Sequence, residues 1–134
     1  MNAIRVLVWV LAMLALAVCE ASPIAVEPVW NKQACASCGM LISEPRTAAE
    51  LATVGGEHLF FDDPGCLVEY LQTHHTRVAG LWFRLGDRFV DARSAHLQSG
   101  KATPMGYGFE TAAEGALGFA DLERAVSARR ETAR

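Results

Sequence analysis

TAAELATVGGEHLFFDDPGCLVEYLQTH, residues 47–74, carries strand, turn, strand and helix signals in one run. TAAELATV reads as a half-buried strand, Gly55-Gly56 as a hairpin turn, and EHLFF as the returning strand. Asp62 or Asp63 then stands where a helix N-cap belongs. Pro64 follows in the first turn, where its missing N–H costs nothing. Leu67, Tyr70, Leu71 and His74 fall on one face at helical spacing, which predicts an amphipathic helix over 64–74.

Working outward, VAGLWFRL (78–85) predicts a further strand. Gly86-Asp87 makes a turn, and RFVDA (88–92) is the expected hairpin partner. The second half repeats the order faintly. PMGYGFETA (104–112) and ALGF (116–119) read as strands around the turn-like Glu114-Gly115. A helix beginning near Asp121 carries Leu122, Ala125 and Val126. His96 falls in a polar loop on this reading. LFFDD and LGFAD each precede a helix, and Gly39-Met40 and Met105-Gly106 each precede the strands. The expectation is an α+β domain of two small ββαβ-like units packed together by pseudo-duplication.

The chain has 134 residues, enough for one domain. Arg5 followed by the unbroken apolar run Val6–Val18 matches a secretory signal peptide over 1–18. Glu20 ends that run short of the roughly 20 residues a membrane span needs. LAVC (16–19) resembles a bacterial lipobox, with Val18 where a smaller residue is usual. This makes Cys19 the expected lipidated first residue and implies a lipid-anchored, periplasmic protein. The rival cut at Ala15-Leu16-Ala17 would release it soluble. Residues 19–34, with two prolines and little periodicity, read as a tether, leaving 35–130 as the domain and 131–134 as a tail.

Formal net charge is −3, and losing Arg5 with the leader makes it −4. No basic stripe is present to neutralise phosphates, which argues against nucleic acid; Arg124, Arg129, Arg130 and Arg134 suit a helix C-terminus and its exit. Beyond Cys19 three cysteines remain, Cys35, Cys38 and Cys66. With an odd number in an oxidising compartment, at least one thiol has a role other than a disulfide.

CASCGM (35–40) sets two thiols and a thioether within six residues. Gly39 lets the backbone fold tightly between Cys38 and Met40. Met105 stands between a proline and a glycine, flanks that an ordinary core methionine does not need. One thiolate with two thioethers is a soft donor set that favours Cu(I) over zinc, calcium or magnesium. A single thiolate also cancels the charge of a monovalent ion, lowering the cost of burial. Against this, Cys35 and Cys38 would serve equally as a redox pair or a disulfide staple, though Gly39 and Pro45 break any helix after them. Cys66, in a predicted first helical turn, is open between a small buried hydrophobe and a reactive or ligating thiol. Asp62 and Asp63 are read as capping groups. His58 sits in a strand, and His74 and His75 end a helix. No nucleophile–base pair, phosphate loop or HExxH motif occurs, so no enzyme is suggested.

CASCGM, FDDPGCLVEYL (61–71), a Trp-bearing strand, DARSAH (91–96) and TPMGYGF (103–109) stand in the order found in the NosL family, and the chain resembles that family from Cys35 to Phe119. The resemblance implies a membrane-anchored periplasmic Cu(I) chaperone with a paired ββαβ fold. It would supply copper for the cluster of nitrous oxide reductase, or of another periplasmic copper enzyme, in concert with a membrane transporter complex. By the same resemblance, Cys38, Met40 and Met105 fall on the metal ligands, Cys35 matches the motif beside them, and Cys19 matches the lipidated position.

Overall fold

The computed structural model describes residues 22–134; the expected signal peptide, Cys19 and the rival cleavage site lie outside the described residues. Among these residues no helix is long and apolar enough to cross a membrane. The described residues form a mixed α+β fold, with two antiparallel sheets and two α-helices among them. A 3₁₀ turn at Pro45–Thr47 leads into β1 (Ala49–Thr53), β2 (His58–Phe61), α1 (Pro64–Thr73), β3 (Val78–Leu85) and β4 (Arg88–Asp91). β5 (His96–Gln98), β6 (Glu110–Ala112) and α2 (Phe119–Thr132) complete the chain.

The first sheet runs in the order β2-β1-β3-β4. β1 pairs with β2 across the Gly-Gly turn, Leu51 facing Leu59, and with β3 on its other side, Leu51 facing Leu81. Leu51, Leu81, Phe61 and Phe83 are fully buried, as the period of two along a strand requires when one face meets a core. Leu67 and Val68 of α1 and Leu122 and Val126 of α2 cover that face. At about 25 cal/mol per Å², each such side chain contributes roughly 1.5–3 kcal/mol on burial.

The helix over 64–73 forms for the reason its sequence gives. Asp63 is the N-cap: its Oδ1 accepts from the Gly65 N–H at 2.9 Å, and Pro64 opens the first turn. Asp62 does not cap. It is buried, and its Oδ1 takes the Ser43 N–H at 2.9 Å while its carbonyl takes the Thr47 hydroxyl at 2.8 Å, fixing the approach to β1.

The second half departs from the expected strands. Only Glu110–Ala112 of PMGYGFETA is extended, because Gly106 and Gly108 take φ of +69° and +81° and turn the backbone before it. Its partner is not 116–119 but β5, with Leu97 facing Thr111; Leu117 adds an isolated bridge to Leu97. His96 therefore lies in a strand rather than a polar loop, its Nδ1 donating to the Gly115 carbonyl at 3.1 Å. The two sheets differ in size, four strands against two. α2 starts two residues before Asp121, whose carboxylate accepts from the Gly118 N–H at 2.8 Å.

Residues 26–34 lie against the first sheet. The Val26 N–H reaches Glu50 Oε2 at 2.9 Å, Glu27 pairs with Arg84, Pro28 is buried, and the Asn31 N–H meets the Ile42 carbonyl at 2.9 Å. Glu50 is 0% exposed on the central strand. Its other oxygen lies 2.5 Å from His58 Nδ1, so His58 faces a carboxylate. Burial pushes the Glu50 carboxyl above its ordinary range, with His58 and the Val26 N–H pulling the other way.

Candidate metal centre

Cys35 and Cys38 sit on a tight loop against the edge strand β2. The loop closes on itself: the Cys35 N–H donates to the Met40 carbonyl at 2.7 Å, and the Gly39 N–H donates to the Cys35 carbonyl at 2.9 Å. Gly39 has φ +77°, the left-handed conformation that this reversal requires. The Ala36 N–H then bonds the Phe60 carbonyl at 2.9 Å, which docks the loop on the edge of β2 next to the start of α1.

That start carries Cys66, three residues past the Asp63 cap and fully buried. The Sγ atoms of Cys35, Cys38 and Cys66 consequently lie within 4.8 Å of one another. All three are free thiols, Cys35 and Cys66 buried and Cys38 half-buried. Cys66 is both things the sequence left open, a small core side chain and a member of a sulfur cluster.

The three thiols do not share charge equally. Cys35 falls from 9.0 to about 5, because the Cys66 thiol donates to it and the Cys38, Asp62 and Ser37 N–H groups point at it; burial opposes the fall. Cys66 rises strongly, since it is the donor to Cys35, is buried, and faces the charges of Cys35 and Asp63. Cys38 rises through burial and the neighbouring Cys35. These shifts favour a single negative charge in the cluster at neutral pH, centred on Cys35, with Cys38 and Cys66 as thiols.

Met40 and Met105 are placed differently. Met40 follows the loop at 47% exposure, beside exposed Leu41. Met105 is half-buried and packs on the core, as Cys38 does. Its N–H donates to Asp63 Oδ2 at 3.1 Å, so the cap of the Cys66 helix also ties down the Met105 loop. Its carbonyl accepts from Arg129 Nη1 at 2.8 Å. The Tyr107 ring lies over Gly65 so closely that a Cβ there would stand 2.0 Å from Tyr107 Cγ. Arg129 covers the ring at 4.3 Å. Burial and the Glu69 carboxylate raise the Tyr107 phenol above its usual range.

Comparison with protein-family models, with curated proteins and with solved structures gives no match.

The donor set suits a soft ion. Cys35, Cys38 and Cys66 could together hold a metal ion, and their sulfurs are softer donors than the oxygens that calcium or magnesium take. The sequence signal that pointed here was the odd cysteine count; the methionine flanks drew attention to Cys38 and away from Cys66.

Proposed function

We propose that this protein is a soft-metal carrier that takes one Cu(I) as cargo at the cluster of Cys35, Cys38 and Cys66 and passes it to a recipient by ligand exchange. The observation that carries the reading is the convergence of three free thiols within 4.8 Å, among which Cys35 has its pKa lowered by the Cys66 thiol and nearby N–H groups. One thiolate balances one monovalent charge, so loading leaves the buried site near neutral and avoids the penalty of an unpaired buried ion. Thiolate and thiol sulfur select Cu(I) over harder ions. Met40, exposed beside the loop, and Met105, held by Asp63, are the thioethers proposed to complete the site or to take the ion as it leaves.

The NosL resemblance extends the reading: a lipid-anchored periplasmic protein, fixed through Cys19, serving nitrous oxide reductase or another copper enzyme together with a membrane transporter. Anchoring would raise the effective concentration of cargo near its recipient. A thiol–disulfide exchange protein would also possess a depressed thiol such as Cys35. Here, however, that thiol is 3% exposed, whereas the more accessible Cys38 has its pKa raised, the reverse of what attack on an external disulfide needs.

Anaerobic competition against a coloured Cu(I) chelator tests the proposal. One equivalent should bind, and Cys35→Ser, Cys38→Ser and Cys66→Ser should each weaken binding by about tenfold or more, since removing even an outer-shell partner commonly costs that much. Met105→Leu should weaken it while leaving the melt unchanged. Absence of uptake, or Cys66→Ser binding as well as the parent, refutes the three-thiol site. Insulin reduction at a rate lost on Cys35→Ala would transfer the assignment to redox exchange.

A further inference from the structure

We propose that Glu69 is a clasp joining the two sulfur-bearing loops, so that it sets how fast a bound soft ion escapes rather than whether it binds. In its kinetic form this rests on the Cu(I) reading above. Glu69 stands three residues beyond Cys66 on α1, hence on the same face one turn on. Its Oε2 accepts from Ser37 Oγ at 3.1 Å, and Ser37 lies between the two cysteines of the first loop. The same carboxylate faces the phenol of Tyr107, two residues from Met105 in the second loop.

Tyr107 is itself held on both sides. Its ring lies on the bare backbone of Gly65, and Arg129 stacks over it while gripping the Met105 carbonyl. Glu69 therefore holds the first loop through the Ser37 hydroxyl and stands close enough to the Tyr107 phenol of the second to raise its pKa. Glu69 is a positioning residue and not a ligand: the group of converging donor atoms contains Cys35, Cys38 and Cys66 without it. A clasp closed in both empty and loaded protein slows entry and exit alike and leaves the equilibrium almost untouched.

Two measurements on the full chain test this. In the metal-free protein, mass spectrometry follows alkylation of Cys35, the buried thiol with the lowered pKa, by a neutral maleimide, which requires the two loops to part. Glu69→Ala should react about tenfold faster, the equivalent of one charge-assisted hydrogen bond lost. In the loaded protein, transfer of Cu(I) to excess chelator should quicken by a similar factor, with affinity inside about threefold. Ser37→Ala and Tyr107→Phe should each give part of the effect and add little to Glu69→Ala, because they share its contacts. Glu69→Gln, which keeps an acceptor, should fall nearer the parent. Unchanged maleimide kinetics in Glu69→Ala would overturn the clasp. So would a loss of affinity as large as that from removing a cysteine, for then Glu69 is a ligand. If Glu69→Ala does not fold, Ser37→Ala and Tyr107→Phe carry both arms, and parent rates in both variants overturn the proposal. Failure of the parent to bind Cu(I) would sink the carrier function while the maleimide arm still decides the clasp.

Discussion

Replacing Cys66 by alanine removes the largest single stabiliser of the Cys35 thiolate. Cys35 stands at about 5 against an ordinary 9.0, and the first of its supports is the Cys66 thiol; the remaining three are backbone N–H groups that the substitution leaves in place. A hydrogen bond to a charged group is worth about 1.5–3 kcal/mol, and a pKa unit is about 1.4 kcal/mol. The Cys35 titration should therefore move up by about one to two units in Cys66→Ala. Thiolate absorbance in the ultraviolet, followed against pH under anaerobic conditions in metal-free protein, reads this directly. The parent should show one thiol ionising near pH 5, and that transition should vanish in Cys35→Ser.

The same group makes stability depend on pH with a defined sign. Its folded pKa lies below its unfolded value, so the folded state gives up the proton first. The contribution is complete above pH 9, shrinks as pH falls, and is gone below about pH 5. Metal-free parent should thus lose more melting temperature between pH 9 and pH 5 than Cys35→Ser does. A midpoint that stays near 5 in Cys66→Ala would refute the donor assignment. A low-pH transition that survives in Cys35→Ser would place the thiolate on another sulfur.

Three further substitutions probe the frame around the site. Glu50→Gln keeps an acceptor for the Val26 N–H but removes a charge that burial disfavours, so at pH 7 urea denaturation should find it equal to or more stable than the parent; Glu50→Ala, which strands that N–H and His58, should cost about 1–3 kcal/mol. Because the folded pKa of Glu50 is raised, its proton favours the folded state, and the gain from Glu50→Gln should fade below about pH 4.5. Thr111 Oγ1 is buried without a hydrogen-bond partner among the described residues, so Thr111→Val should be neutral or stabilising by up to about 1 kcal/mol in the same assay. Gly65→Ala drives a methyl into the root of the Tyr107 ring and should destabilise by about 1–3 kcal/mol, with Tyr107 fluorescence reporting its displacement.

The elements that sequence revealed are those whose signals are local. FDDPG specifies a cap and a first turn within five residues, and the helix begins where it says. Gly55-Gly56 joins two strands that do pair, and Gly86-Asp87 does the same for β3 and β4. What escaped reading depends on contacts between distant segments. Nothing in VAGLWFRL says that it will lie beside β1 rather than only beside its own hairpin partner, yet that choice makes β1 central and leaves an edge of β2 for the cysteine loop. β5 and β6 have three residues each, too short for an alternating pattern to register, and they are held by burial of Leu97 against the core.

The site divides along the same line, and the division explains why one cysteine was easier to place than another. Cys35 and Cys38 share a loop, so their proximity is written in their spacing. Cys66 joins them only because the Ala36 N–H bonds Phe60 at the edge of β2, and β2 runs straight into the helix that begins at Pro64. A thiol at a helix start would ordinarily be the ionised one. Here the loop delivers Cys35 to the same spot with three backbone N–H groups already aimed at it, and the helix thiol becomes the donor instead. Charge therefore settles on the sulfur with the most fixed dipoles around it, leaving the more accessible Cys38 protonated. In the carrier proposed above, that arrangement would separate two duties: a buried thiolate to balance the ion, and a half-exposed neutral thiol through which a recipient begins to exchange it.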